Sequence, residues 1–275
     1  VSTSVVGYYG SKVRVAPRIV DLLPEHHGYV EPFCGSLAVL LAKPAARFEV
    51  VNDLDGDLMT FWRVLRERRD DLTRLCALTP HSRGEYEASW PITEDVDDVE
   101  RARRVWVKLT QGRAGSLRQT GWRYHEAPLG RSSSMPRTLA GYVGRFALVA
   151  DRLSTVTLEC RPALEVLAAY GRDPHNLLYL DPPYLASTRS GTAYRHEMPD
   201  EQQHRDLAAA LVECKATVVL SGYPSPLYDE LYGSWDRAEI AAATGQGPVW
   251  GERTEVVWCN RQLRQDQPLD FEGAS

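Results

Sequence analysis

The chain predicts an α/β fold: a doubly wound sheet of seven mostly parallel strands, with a small domain inserted into it. Three observations lead there. Short apolar runs alternate with stretches of helical spacing through residues 1–75 and 150–275, and such alternation builds parallel sheets. Residues 76–149 break that rhythm and include a stretch rich in Gly, Ser and Arg. Finally, Asp181-Pro182-Pro183-Tyr184 follows the apolar run Leu177-Leu178-Tyr179-Leu180. That puts a polar loop at the carboxyl end of a buried strand, the edge where open α/β sheets bind ligands.

The elements follow in order. Arg14–Leu23 reads as a helix, Gly28–Pro32 as a strand, Leu37–Ala42 as a helix start and Arg47–Val51 as a second strand. Leu54–Leu75 is predicted as one long helix, because Leu58, Phe61, Trp62, Leu65, Leu72 and Leu75 share a face. Asp53 or Asp55 caps it. Glu85–Glu100 is acidic and reads as loop and helix start, and Arg101–Leu109 as helix. The stretch Gln111–Pro136 is too long for an ordinary connector and reads as a functional or disordered loop. Arg137–Leu153 returns as a helix. The α/β pattern then resumes with strands at Val156–Cys160, Asn176–Leu180 and Thr217–Ser221 and helices at Ala163–Tyr170 and Glu201–Cys214. Arg237–Ile240 and Glu255–Cys259 form a final antiparallel pair.

Composition sets further limits. With 275 residues, 43% hydrophobic and 25% charged, the chain supports a sizeable core. It holds no apolar run long enough for a bilayer, and Val1-Ser2-Thr3-Ser4 has no signal-peptide character. Five widely spaced cysteines without a C-x-x-C pair argue against disulfides or zinc and fit a reducing cytoplasm. The net charge is −5, yet Arg101–Arg145 holds ten basic residues against the single acid Glu126. A local patch of that kind binds phosphates whatever the whole-chain sum; its other reading is a solvated basic face.

The tetrapeptide suits the methylation of a nucleobase amine. Such an amine is a poor nucleophile, since its lone pair is conjugated into the ring, and it offers two N–H groups. An ionised Asp181 only accepts hydrogen bonds, and the Pro182 carbonyl accepts the second. Pro182 and Pro183 stiffen the loop, while Tyr184 offers a flat face to an extruded base. Asp-Pro-Pro is also plain turn chemistry, so its company decides. Glu31-Pro32-Phe33-Cys34-Gly35-Ser36-Leu37 opens a helix after the first strand, where a glycine lets backbone approach a ligand. Asn52-Asp53 ends the second strand, where one carboxylate holds a ribose diol. Tyr8-Tyr9-Gly10-Ser11-Lys12 precedes the first helix, with Lys12 as a partner for a ligand carboxylate or a surface lysine.

These motifs, in this order and across nearly the whole chain, resemble the Dam-type (class alpha) adenine-specific DNA methyltransferases. Tyr194–Leu211 and Leu220-Ser221-Gly222-Tyr223 resemble them too. The resemblance implies a Rossmann-like seven-stranded methyltransferase sheet built from 1–75 and 150–275, and a target-recognition insertion at 76–149. It implies S-adenosylmethionine as methyl donor. Tyr8, Gly10, Lys12, Phe33, Cys34, Gly35, Ser36, Asp53 and Asp181 are the donor-pocket candidates: Lys12 for the methionine carboxylate and Asp53 for the ribose. Asp181, Pro182, Pro183 and Tyr184 would hold the target adenine in duplex DNA. A cognate restriction endonuclease is a further partner that the sequence does not itself specify. Two positions depart from the family pattern: Leu37 stands where a second glycine is common, and Arg161-Pro162-Ala163 where an acid often contacts the donor's adenine.

The expected reaction is in-line transfer from the sulfonium to the adenine 6-amino group. It needs no metal and rests on positioning and polarising hydrogen bonds. Arg113, Arg118, Trp122, Arg123, Tyr124 and Arg137 are the candidates for DNA contact, the arginines reaching guanine edges or phosphates. Cytosine 4-amino methylation is disfavoured by Asp181, since that group usually begins its tetrapeptide with Ser. RNA adenine methylation and a non-catalytic DNA-binding role are the other readings; the intact tetrapeptide and Asp53 argue against the last.

Overall fold

The computed structural model describes residues 4–124, 134–184, 195–243 and 252–264. Glu126, Arg131 and Tyr194 lie outside the described residues. The strands are β1 (Gly28–Glu31), β2 (Phe48–Asn52), β3 (Thr157–Glu159), β4 (Asn176–Leu180), β5 (Thr217–Gly222), β6 (Asp236–Ala243) and β7 (Glu252–Cys259). They form one sheet in the order β3-β2-β1-β4-β5-β7-β6. Pairing is parallel from β3 through β5, and β7 runs antiparallel to both β5 and β6. The strand order reverses between β1 and β4, which opens a crevice at their carboxyl ends.

Strand alternation supplies a core on each face. Val30, Val50, Leu178, Leu180, Val218, Leu220, Val256 and Trp258 face one way, toward helices α9 (Ala163–Tyr170), α10 (Glu201–Val212) and α11 (Pro226–Tyr232). Tyr29, Val51, Leu177, Tyr179, Val219, Val257 and Cys259 face the other. There they meet α1 (Ala16–Leu22), α2 (Ala38–Ala42) and α3 (Gly56–Glu67).

Two predicted helices are each broken in two. The Leu54–Leu75 span is α3 followed by α4 (Arg69–Leu78), with Arg68 at φ −131° and ψ 42° between them. Apolar spacing continues across the break, because Leu65 and Leu72 both bury in one core; periodicity therefore does not reveal it. Arg137–Leu153 divides at Gly144 into α7 (Met135–Val143) and α8 (Phe146–Leu153). The acidic stretch carries a short helix, α5 (Arg83–Ala88).

Helix α6 (Asp98–Gln111) packs along α3, and its Val99, Ala102, Val105, Trp106 and Leu109 join the same core as the sheet. Leu117, Leu139 and Phe146 join it too. The described part of 76–149 therefore shares one hydrophobic core with the sheet, and only its surface is left for a separate task.

Leu37 accounts for one departure. Its backbone is left-handed, φ 59° and ψ 25°, at the N-cap of α2, the conformation a glycine adopts without strain. Its side chain, however, is fully buried. Replacing it with glycine would relieve roughly 1 kcal/mol of backbone strain but forfeit about 3–5 kcal/mol of burial. Leu37→Gly is thus expected to lower the melting temperature by roughly 5–10 °C, and a thermal scan that shows stabilisation instead would refute the burial argument.

Candidate active site

The site is built at the carboxyl ends of β1, β2 and β4. Asn52 ties those ends together: its amide donates to the Pro32 and Arg161 carbonyls at 2.9 and 3.0 Å and accepts from the Arg161 N–H at 2.9 Å. The loop after β1 is held by Ser11 and Ser36, whose hydroxyls lie 2.7 Å apart. Gly35 has φ 44°, and a Cβ there would meet the Tyr8 ring at 3.0 Å; the turn needs glycine for both reasons. Cys34 is buried against Met59, its thiol pushed up by burial. It packs beneath the turn and borders the cavity.

Asp55, and not Asp53, caps α3, accepting from the N–H groups of Asp57 and Leu58. That leaves the Asp53 carboxylate to face the cavity, with Gly35 N–H donating to Oδ2 and Asp55 N–H to Oδ1, each at 3.0 Å. Burial pushes its pKa up to about 6, against those two hydrogen bonds. The cavity, about 310 Å³, is lined by Tyr8, Gly10, Lys12, Phe33, Cys34, Ser36, Asp53, Asp181 and Pro183 among others. The turn Gly115-Ser116-Leu117, reached through a bond from Tyr9 N–H to the Gly115 carbonyl, forms another wall. Pro162, Ala163 and Leu164 make an apolar wall where the family pattern has an acid. Nearby Glu159 is occupied by Arg161 and Tyr170.

Asp181 lies at the centre of a charged cluster. Its Oδ1 receives the Lys12 ammonium at 2.9 Å, the Tyr184 hydroxyl at 3.0 Å and the Ser221 hydroxyl at 3.3 Å. Among the described residues Oδ2 has no such partner. Lys12 also contacts Tyr184, by hydrogen bond and across its ring, and the Tyr184 ring packs 4.5 Å from that of Tyr223. A second carboxylate, Glu255 of β7, lies 3.3 Å from Lys12 and accepts from Tyr184 at 2.9 Å. In the sequence Glu255 is only the first residue of the last strand, and its one signal is an acid directly before the apolar run Val256-Val257-Trp258. Glu31, beneath, accepts from Tyr29 and is raised by burial to about 8, so it is mainly protonated at neutral pH.

After the tetrapeptide the chain returns at Arg195. Its guanidinium bridges Asp55 at 3.1 Å and Asp57 at 2.9 Å, which brings residues 195–198 to the cavity wall. His204 is buried between the Met198 carbonyl and Tyr228, so it packs the loop.

The basic run divides into two groups. Arg101 pairs with Asp57, Arg103 with Glu85 and Glu100, and Arg104 with Glu100. Lys108 is buried over Trp90, and Arg145 donates to the Ser4 carbonyl. These serve the protein itself. Arg113, Arg118 and Arg137 are exposed and Arg123 half-buried. Trp122 is stacked between His81 at 4.6 Å and Tyr124 at 5.7 Å, with Arg83 over its ring. Tyr124, 40% exposed, is therefore the aromatic of this column that faces outward.

Among known proteins, the chain is 26% identical over 269 residues to the Type II methyltransferase M1.LlaDCHI of Lactococcus lactis subsp. cremoris, covering 91% of this chain and 93% of that protein. Solved structures that align with the chain include the rRNA methyltransferase AviRa of Streptomyces viridochromogenes (14% identity, 92% of this chain and 87% of that one, TM-score 0.37). Another is a precorrin 8W decarboxylase of Methanobacterium thermoautotrophicum (10% identity, 89% and 87%, TM-score 0.35). The sequence model of one family matches residues 8–110 and 143–245, which take in the donor-site motifs, the tetrapeptide and most of the sheet. The chain belongs to the D12 class of N6 adenine-specific DNA methyltransferases.

Proposed function

We propose that the cavity between Asp53 and Asp181 holds S-adenosylmethionine and that Asp181 Oδ2 receives the amine of an adenine extruded from duplex DNA. The observation that carries this reading is the engagement of Asp181. Lys12, Ser221 and the Tyr184 hydroxyl shared with Glu255 gather at Oδ1, Oδ2 is left as an acceptor, and Asp181 and Asp53 line the same cavity. When bound, the donor supplies a methyl group on a sulfonium that leaves as a neutral thioether. Asp53 accepts from the ribose hydroxyls. Lys12, on the cavity wall and engaged by Asp181, Glu255 and Tyr184, supplies a positive charge toward the donor's carboxylate. Asp181 and the Pro182 carbonyl orient the amine lone pair along the line of transfer. Phe33 and Tyr184 supply apolar and aromatic surface. The test is transfer of labelled methyl to unmethylated duplex DNA with nucleoside analysis: 6-methyladenine supports the reading, and label on cytosine or only on RNA overturns the substrate assignment.

Residues 111–142, which the family match skips, carry Arg113, Arg118, Trp122, Arg123, Tyr124 and Arg137. A segment that selects the target sequence is expected to differ between members that share one chemistry. Each phosphate contact contributes about 0.9 to the slope of log K against log salt. The double variant Arg113→Ala, Arg118→Ala is expected to reduce that slope by roughly 2 with donor affinity unchanged. An unaltered slope would remove both from the interface. The Type II designation of the Lactococcus relative supports a restriction-modification role in the cytoplasm, with a cognate endonuclease as partner. No helix among the described residues is long and apolar enough to cross a membrane.

A further inference from the structure

We propose that Glu255 is a positioning residue for methyl transfer, which keeps Asp181 an effective acceptor by sharing Lys12 and holding the Tyr184 hydroxyl. The inference rests on the catalytic reading of Asp181. Glu255 lies beyond the residues matched by the family, so geometry alone carries it.

With only Lys12 beside it at 2.9 Å, Asp181 would be half of a neutral ion pair, and a paired carboxylate is a weaker acceptor for an incoming amine. Glu255 places a second, buried carboxylate 3.3 Å from the same ammonium. The Tyr184 hydroxyl, with one hydrogen, lies between the two, 3.0 Å from Asp181 and 2.9 Å from Glu255. One positive and two negative groups leave the cluster net negative when both carboxylates are ionised. Glu31 adds little charge at neutral pH. In the reaction the N–C bond forms as the C–S bond breaks, and positive charge moves from sulfur to the adenine amine. The amine then sheds one proton, first to Asp181 and then to solvent. A net negative cluster favours that displacement of charge; a neutral one does not.

Among the described residues, the charged and titratable groups facing Glu255 include Lys12 from the amino-terminal segment, Asp181 and Tyr184 from the loop after β4, and Tyr179 within β4. Burial foremost, and then Asp181, raise Glu255, while Lys12 and Tyr184 oppose them.

Glu255→Gln keeps the volume and an acceptor for Tyr184 and removes the charge. Expected is a fall in kcat of about tenfold to a hundredfold, with KM for donor and DNA within about twofold. Glu255→Asp, which keeps the charge, should retain most of the wild-type kcat. Wild-type kcat in Glu255→Gln would overturn the proposal, as would equal losses in both variants. If Glu255→Gln does not fold, Tyr184→Phe decides, since it removes the hydroxyl that Glu255 holds: a lower kcat at unchanged KM supports the proposal, and a wild-type kcat overturns it. A wild-type enzyme that leaves DNA unmethylated would instead refute the catalytic reading on which all of this depends.

Discussion

The Asp181→Ala variant is expected to lose methyl transfer by about 10²–10³-fold in kcat while keeping its fold and its affinity for the donor. The loss follows from the amine's chemistry. Its lone pair is delocalised into the ring until a strong acceptor draws on one N–H, and the methylated amine must then give up a proton. Asp181 offers an ionised oxygen for both steps, whereas the Pro182 carbonyl offers a neutral one. The fold survives because of the surrounding charges. Removing one member of a buried ion pair is costly when it strands the other, but here Lys12 retains Glu255 at 3.3 Å and the Tyr184 hydroxyl. Side-chain exposure of 20% at Asp181 also limits any cavity. Donor affinity is measured by calorimetry with S-adenosylhomocysteine, which cannot react. A variant within tenfold of wild-type kcat would mean that the tetrapeptide is a turn and nothing more. A variant that neither folds nor binds donor would mean that Asp181 is structural.

The parallel half of the sheet was legible in the sequence because each strand is a short apolar run closed by a polar motif. Glu-Pro-Phe, Asn-Asp and Asp-Pro-Pro each mark a carboxyl end, and the three ends converge in space. The helix breaks at Arg68 and Gly144 were not legible, since both halves bury the same face and no proline interrupts either span. The basic run was counted correctly, but its division was hidden. Arg103 and Arg104 pair with Glu100 one turn earlier in the same helix, just before the run, while Arg101 and Arg103 are answered by Asp57 and Glu85 from other helices, and the latter pairs leave no trace in a linear charge count. Glu255 was hidden for the same reason. It reaches Lys12 across 243 positions of chain only because β7 is inserted beside β5.

Binding of the donor is expected to weaken as pH falls through about 6, by up to about tenfold per pH unit, and this dependence should vanish in Asp53→Asn. The sign follows from the raised pKa. An acid whose folded-state pKa lies above its unfolded value costs stability once ionised, so for this group the unliganded protein loses stability as pH rises from about 4 to about 6. The donor's ribose hydroxyls reverse the preference, because they donate to the ionised carboxylate and not to the carboxylic acid proton. Binding therefore draws Asp53 toward ionisation, and by linkage protonation opposes binding. The two backbone donors fix the carboxylate without exhausting it: Gly35 and Asp55 each supply one N–H, one to each oxygen, and each oxygen keeps a lone pair for a hydroxyl. In Asp53→Asn an amide N–H must face one of those backbone N–H groups, and the other position loses its charge. A loss of about 1.5–3 kcal/mol in donor binding is expected at pH 7.5, with little further change down to pH 5. Calorimetric titration with S-adenosylhomocysteine across that range decides it. Flat wild-type affinity would show that the ribose is held elsewhere. A wild-type slope that persists in Asp53→Asn would assign the titration to another group on the same cavity.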